Sequence, residues 1–173
     1  MDKKLIFHGR VWYFGEDVID TDQILPGYAM TCEREQLKDY ALAGSKIPDF
    51  AKKVQPGDII VAGKNFGAGS SREQAPVALQ SSGVGAVVAV SFARIFRRNA
   101  INIGLPVLYA DLIGLVKSGD EITVDFNTGE ITLPDGRTVA GQQPGESVRS
   151  ILAAGGLIPK VRQQLQRKGG EAK

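Results

Sequence analysis

A chain of 173 residues, 43% hydrophobic and 23% charged, is long enough to bury a core and has the composition of one globular domain. Its net charge of +2 comes without a basic block and with only one Trp and four Tyr, which argues against nucleic acid as a partner. A single cysteine, Cys32, and a single histidine, His8, exclude a metal centre or iron–sulfur cluster held by Cys/His ligands of this chain alone, and give poor support to Cys/His or Ser/His/Asp catalysis.

Residues 5–19 are rich in β-formers and predict one or two short strands, with His8 and Trp12 as packing or surface residues. No signal-type apolar segment precedes them, and no later run reaches membrane-spanning length, so the expectation is a cytoplasmic protein. Asp20-Thr21-Asp22-Gln23-Ile24-Leu25-Pro26-Gly27 predicts a turn, because its short polar side chains bond local backbone and Pro-Gly closes it. Glu33 to Leu42 places Leu37, Tyr40 and Ala41 at helical spacing and ends at Gly44. Ser45 to Gln55 is a link. Pro56-Gly57-Asp58 then turns into Asp58 to Ala62, a short apolar run that reads as a buried strand.

The next stretch, Gly63 to Pro76, is a glycine-rich turn that opens a helix over Arg72 to Gln80. Ser70 with Glu73, and Ser71 with Gln74, both fit a capping box, so either serine could start that helix. Free N–H groups and the positive end of a helix dipole suit an anion there. A purely steric need for glycine between strand and helix explains the same pattern without a ligand. The motif is not a dinucleotide fingerprint, since Arg72 stands where the third glycine belongs, and no Gly-Lys-Ser/Thr makes it a P-loop. A cation inside a helix start is unfavourable unless it meets an anion, so Arg72 is expected to grip a carboxylate or phosphate.

Gly83 to Val90 is apolar without interruption, as in a parallel strand covered on both faces. Ser91 to Ala100 predicts a short helix with Arg94, Arg97 and Arg98, either a solvated basic face or the wall of a cleft for an acidic ligand. Ile101 to Gly104 is a loop and Pro106 to Tyr109 a third strand, which implies βαβ units. Alternation over Asp120–Phe126, Glu130–Leu133 and Arg137–Val139, broken by Asn127-Thr128-Gly129 and Pro134-Asp135-Gly136, predicts an antiparallel meander. Gly145-Glu146-Ser147 introduces a last helix over Val148 to Ala154, and the tail from about residue 162 is expected to fray. The whole chain, 1–173, reads as one α/β domain.

At Gly67-Ala68-Gly69-Ser70-Ser71-Arg72-Glu73-Gln74-Ala75 the chain resembles the aconitase superfamily, and within it the stand-alone small subunits of the isopropylmalate dehydratase and homoaconitase branch. Asp20 to Pro26 is similar to that family's early loop, Ser91 to Asn99 to its later one, and Asn102-Ile103-Gly104-Leu105-Pro106 follows in place. The resemblance implies the swivelling β/β/α fold: a three-layer domain with a central parallel sheet, a second antiparallel sheet and flanking helices. It implies a hydro-lyase subunit, active only with a large subunit that carries a four-iron four-sulfur cluster, which isomerises 2- and 3-isopropylmalate in leucine biosynthesis. No cofactor or metal is expected in this chain.

The resemblance assigns proton abstraction to Ser70 acting as an alkoxide, carboxylate binding to Ser71 and Arg72, and an orienting role to Asp22. The family reads the substrate's variable group with the segment here written Tyr28-Ala29-Met30-Thr31, where apolar Met30 favours an alkyl branch. Ala29 stands where leucine is usual, and Arg34, close behind, is a candidate for supplying charge. The alternatives are a homoaconitase or dimethylmalate-type subunit and, from another class, a non-catalytic anion-binding module. An isolated small subunit also has a face open to self-association.

Overall fold

The seam of the molecule is β1 (Ile6–Tyr13), which pairs with a different kind of neighbour on each side. The computed structural model describes residues 4–171. Ile6 to Arg10 pair antiparallel with β5 (Glu121–Asp125), while Val11 to Tyr13 pair parallel with β2 (Ile59–Ala62). With β3 (Ala86–Ala89), β4 (Val107–Tyr109), β6 (Glu130–Thr132) and β7 (Thr138–Ala140), the seven strands run in the order β4-β3-β2-β1-β5-β6-β7. The expected parallel and antiparallel sheets are both present, and they share β1.

Side-chain alternation on the parallel strands makes two cores. Ile60, Ala62, Val87, Ala89 and Val107 face the helices. Ile59, Val61, Ala86, Val88 and Leu108 face the other way, against Ile122, Val124 and Ile131 of the antiparallel strands. The parallel strands are thus buried on both faces, which is why β2 and β3 read as unbroken apolar runs. His8 stays exposed, with Nδ1 2.8 Å from the Thr123 hydroxyl on β5. Trp12 Nε1 donates to the buried Asp58 carboxylate at 2.8 Å, with Arg10 on the same oxygen at 2.9 Å.

Helices fill the connections. The predicted turn after Asp20 is one helical turn, α1 (Thr21–Ile24), capped reciprocally by Asp20 and Gln23. Gly27–Thr31 and Arg34–Tyr40 are 3₁₀ turns, so the helix expected over residues 33–42 is tighter than an α-helix. The predicted link at 45–55 contains α2 (Phe50–Lys53), pinned by buried Phe50. Then follow α3 (Gln74–Ser82), α4 (Arg94–Asn102), α5 (Glu146–Ala154) and α6 (Leu157–Glu171).

Two features differ in form from the expectation. The tail expected to fray from about residue 162 lies within a helix, α6, whose residues past 162 are almost all exposed. An elbow at Gly155 and Gly156, both with positive φ, turns the chain from α5 into α6. The second difference is the start of α3. It begins at Gln74, with Glu73 in the cap position, so neither Ser70 nor Ser71 caps it. Pro76 is the reason. A helix begun at either serine would put Pro76 deep enough for its ring to meet the carbonyl four residues back; from Gln74, it falls in the first turn, where its missing N–H costs nothing.

Candidate active site

Three segments far apart in sequence are stitched together around residues 65–69. The Gly67 N–H donates to the Ile19 carbonyl at 2.7 Å, and the Thr21 N–H donates to Ala68 at 2.8 Å. On the other flank, the Phe66 N–H donates to Ser91 at 3.0 Å and the Ala93 N–H to Phe66 at 2.9 Å. The turn is therefore a short strand held between the Asp20 and Phe92 segments, with one bridge on each side. All three motifs singled out in the sequence meet here. Gly67 makes the approach feasible. At φ +83°, it lies so close to α4 that an added Cβ would fall 2.3 Å from Phe96 Cγ.

Ser70 and Ser71 follow this anchored turn and are exposed. Ser70 Oγ lies 3.4 Å from Thr21 Oγ1, and Thr21 is itself buried at 3% exposure. Arg72 donates from Nη1 to the Leu25 carbonyl at 2.9 Å and pairs with Asp22 Oδ1 at 2.5 Å. Its side chain is four-fifths buried, whereas Asp22 is largely exposed, so the pair is held by the arginine's anchorage rather than by Coulomb attraction alone. The backbone N–H groups of Ser70, Ser71 and Arg72 donate to no protein acceptor among the described residues. Unpaired backbone N–H groups on the same turn as a hydroxyl and a guanidinium favour negative charge, although the turn precedes the helix rather than forming its end.

Ser70, Ser71 and Arg72 line one wall of an open cleft of about 700 Å³. The opposite wall is the first half of α4, whose Phe96 and neighbouring Tyr109 give it an aromatic floor. Phe66, Phe92 and Phe96 pack beneath it, edge to face or stacked, with centroids 5.2–6.4 Å apart. Sequence reasoning missed Thr21, Phe96 and Tyr109. Only Thr21 left a trace, as the small residue between two acids. The structure does not bring Met30 and Arg34 to the cleft lining. Met30 is half-buried against the helix-side core. Arg34 lines a separate polar groove with Glu73, Asn99 and Asn102. The neighbouring Cys32 thiol holds the Tyr40 phenol above the usual range for tyrosine.

Among the described residues, no group of three or more His, Cys, Asp or Glu side chains is placed to hold a metal ion. With one cysteine and one histidine in the sequence, the chain lacks the thiolate set that an iron–sulfur cluster requires. No helix among the described residues is long and apolar enough to cross a membrane.

The serine turn, the shared β1 and the two cores flanking the parallel strands are the features of a domain of the aconitase type. Residues 20–111 match the aconitase C-terminal domain, and the chain belongs to that family. It is 50% identical over 163 residues to the isopropylmalate/citramalate isomerase small subunit of Methanocaldococcus jannaschii, covering 92% of this chain and 96% of that one. It is equally 50% identical over 155 residues to the homoaconitase small subunit of Methanothermobacter thermautotrophicus, covering 88% and 89%. The crystal structure of a 3-isopropylmalate dehydratase from Methanocaldococcus jannaschii superposes with a TM-score of 0.88 at 43% identity, over 96% of this chain and 99% of that one.

Proposed function

We propose that this chain is the small subunit of a hydro-lyase that interconverts 2- and 3-isopropylmalate by dehydration and rehydration, and that it acts only with a large subunit. The observation that carries the reading is the placement of Ser70. Its hydroxyl stands at the cleft wall beside a buried threonine, on a turn whose free N–H groups and arginine favour an anion.

Isomerisation requires loss of a proton from the carbon next to a carboxylate, departure of hydroxide from the adjacent carbon, and return of water in the opposite sense. Ser70 takes the carbon-bound proton. A neutral serine is too weak a base, so its alkoxide must be favoured by the turn's N–H groups and by Arg72. Ser71 and Arg72 bind a substrate carboxylate, and Asp22 fixes the guanidinium that does so. Departure of hydroxide needs a Lewis acid, and this chain offers no ligand set for one. We assign that group, a four-iron four-sulfur cluster, to the large subunit.

The cleft's Ala93, Ile95 and Phe96 surface suits an alkyl branch. A homoaconitase reading stays in play, because a homoaconitase small subunit is as similar as an isopropylmalate one. Reconstitution with a cluster-loaded large subunit, assayed on isopropylmalate, homoaconitate and dimethylmalate, separates them. Isopropylmalate is expected to be turned over best. Ser70→Ala is expected to lower kcat by about 10²–10⁴ with the circular dichroism spectrum unchanged. Preference for the tricarboxylate would overturn the substrate assignment, and no turnover of any substrate leaves only an anion-binding module.

A further inference from the structure

The cleft is lined by four arginines, Arg72, Arg94, Arg97 and Arg98, and by no carboxylate. Arg72 is engaged by Asp22 and the Leu25 carbonyl. The other three lie on α4, with Arg97 and Arg98 three and four residues after Arg94, so each of them neighbours and repels Arg94. None of the three enters an ion pair among the described residues. Arg97 lies over the Tyr109 ring at 5.1 Å, with its Nε buried and without an acceptor. Arg94 and Arg98 are exposed.

Two further features make the arrangement unfavourable without an anion. Arg94 is the first residue of α4, where a cation opposes the helix dipole. Ala93 occupies the cap position and gives that end no side-chain acceptor. Like-charge crowding and an uncapped helix start both relax when negative charge enters the cleft.

We propose that Arg94 and Arg98 form an anion-gathering rim that concentrates dicarboxylate substrates at the cleft before Ser71 and Arg72 bind them. Arg97, pinned on Tyr109, is the fixed part of this wall; Arg94 and Arg98 are its long, solvated arms. A cleft of one sign walled by apolar rings focuses the field on an entering dianion. This rests on the dicarboxylate reading above, and it goes further by giving α4 a role distinct from that of the serine turn.

The test is the Arg94→Gln/Arg98→Gln double variant in the reconstituted enzyme, with KM and kcat followed against ionic strength. At low salt, KM is expected to rise about tenfold while kcat holds. The difference from wild type should shrink toward roughly 0.5 M salt, where the Debye length is a few ångström. Large-subunit affinity, measured by titration, should not change. The inference is overturned if KM follows wild type at every ionic strength, or if weaker subunit affinity accounts for the change, which would make the rim a docking surface. Should the wild-type pair turn over no alkylmalate, the functional reading falls and malonate titration of this chain decides the inference. Shifts of the Arg94 and Arg98 Nε–H resonances that vanish with salt keep it, and their absence overturns it.

Discussion

Replacing Gly67 with alanine tests how the serine turn is held. Two penalties add. At φ +83°, an L-residue occupies left-handed backbone, at about 1–2 kcal/mol. The new methyl falls 2.3 Å from Phe96 Cγ and 2.5 Å from its Cβ. Those are the root atoms of a ring locked among Phe66, Phe92 and the core, not the tip of a mobile chain, so relief requires α4 or the turn to move. Overpacking of this kind costs about 1–3 kcal/mol. A total of about 2–5 kcal/mol lowers Tm by roughly 5–15 °C in a domain of this size. Gly114→Ala is the control, because Gly114 has φ +76° and nothing within 4 Å of an added Cβ. It should show only the backbone penalty. Thermal melts of both variants, with kcat in the reconstituted enzyme, separate the two. Gly67→Ala should lose several degrees more than Gly114→Ala, and lose activity through displacement of Ser70. Equal melting shifts in the two variants would refute the Phe96 contact as the constraint on the turn.

Two further substitutions probe the site directly. Thr21→Val keeps the shape of a buried side chain and removes the hydroxyl 3.4 Å from Ser70. Loss of one net hydrogen bond of about 1 kcal/mol predicts a fall of roughly fivefold in kcat with KM unchanged, whereas a purely structural role would lower Tm and leave kcat alone. Arg72→Lys cannot reach the Leu25 carbonyl and the Asp22 carboxylate together while presenting a planar fork to substrate. KM for the malate is expected to rise roughly tenfold to a hundredfold, and an unchanged KM in steady-state assays would remove Arg72 from substrate binding.

The parallel half of the fold was legible in the sequence because its strands are buried on both faces and carry no polar interruption. The meander was legible because Asn127-Thr128-Gly129 and Pro134-Asp135-Gly136 mark turns between alternating segments. The helix start was misplaced for a reason also present in the sequence. Two capping boxes compete locally with Pro76, and the proline prevails because its ring excludes an earlier start. The α6 helix escaped notice because Leu157, Val161 and Leu165, although at helical spacing, stand in a strongly polar segment that follows two glycines and contains Pro159. At the site, Ser70, Arg72 and Asp22 announced themselves through motifs. The aromatic floor did not, since Phe66, the Phe92–Phe96 pair and Tyr109 come from three separate stretches and only the fold assembles them.

The hydrogen bonds that clasp residues 65–69 from both flanks bear on what happens when a large subunit arrives. Nothing in the turn waits for a companion to give it shape. The entropy of fixing residues 66–68 is lost when the chain folds, not when the complex forms, so that part of the site adds no ordering cost to assembly. Docking should therefore proceed as the seating of a finished tool, with the Phe66, Gly67 and Ala68 amides equally protected from hydrogen exchange before and after it.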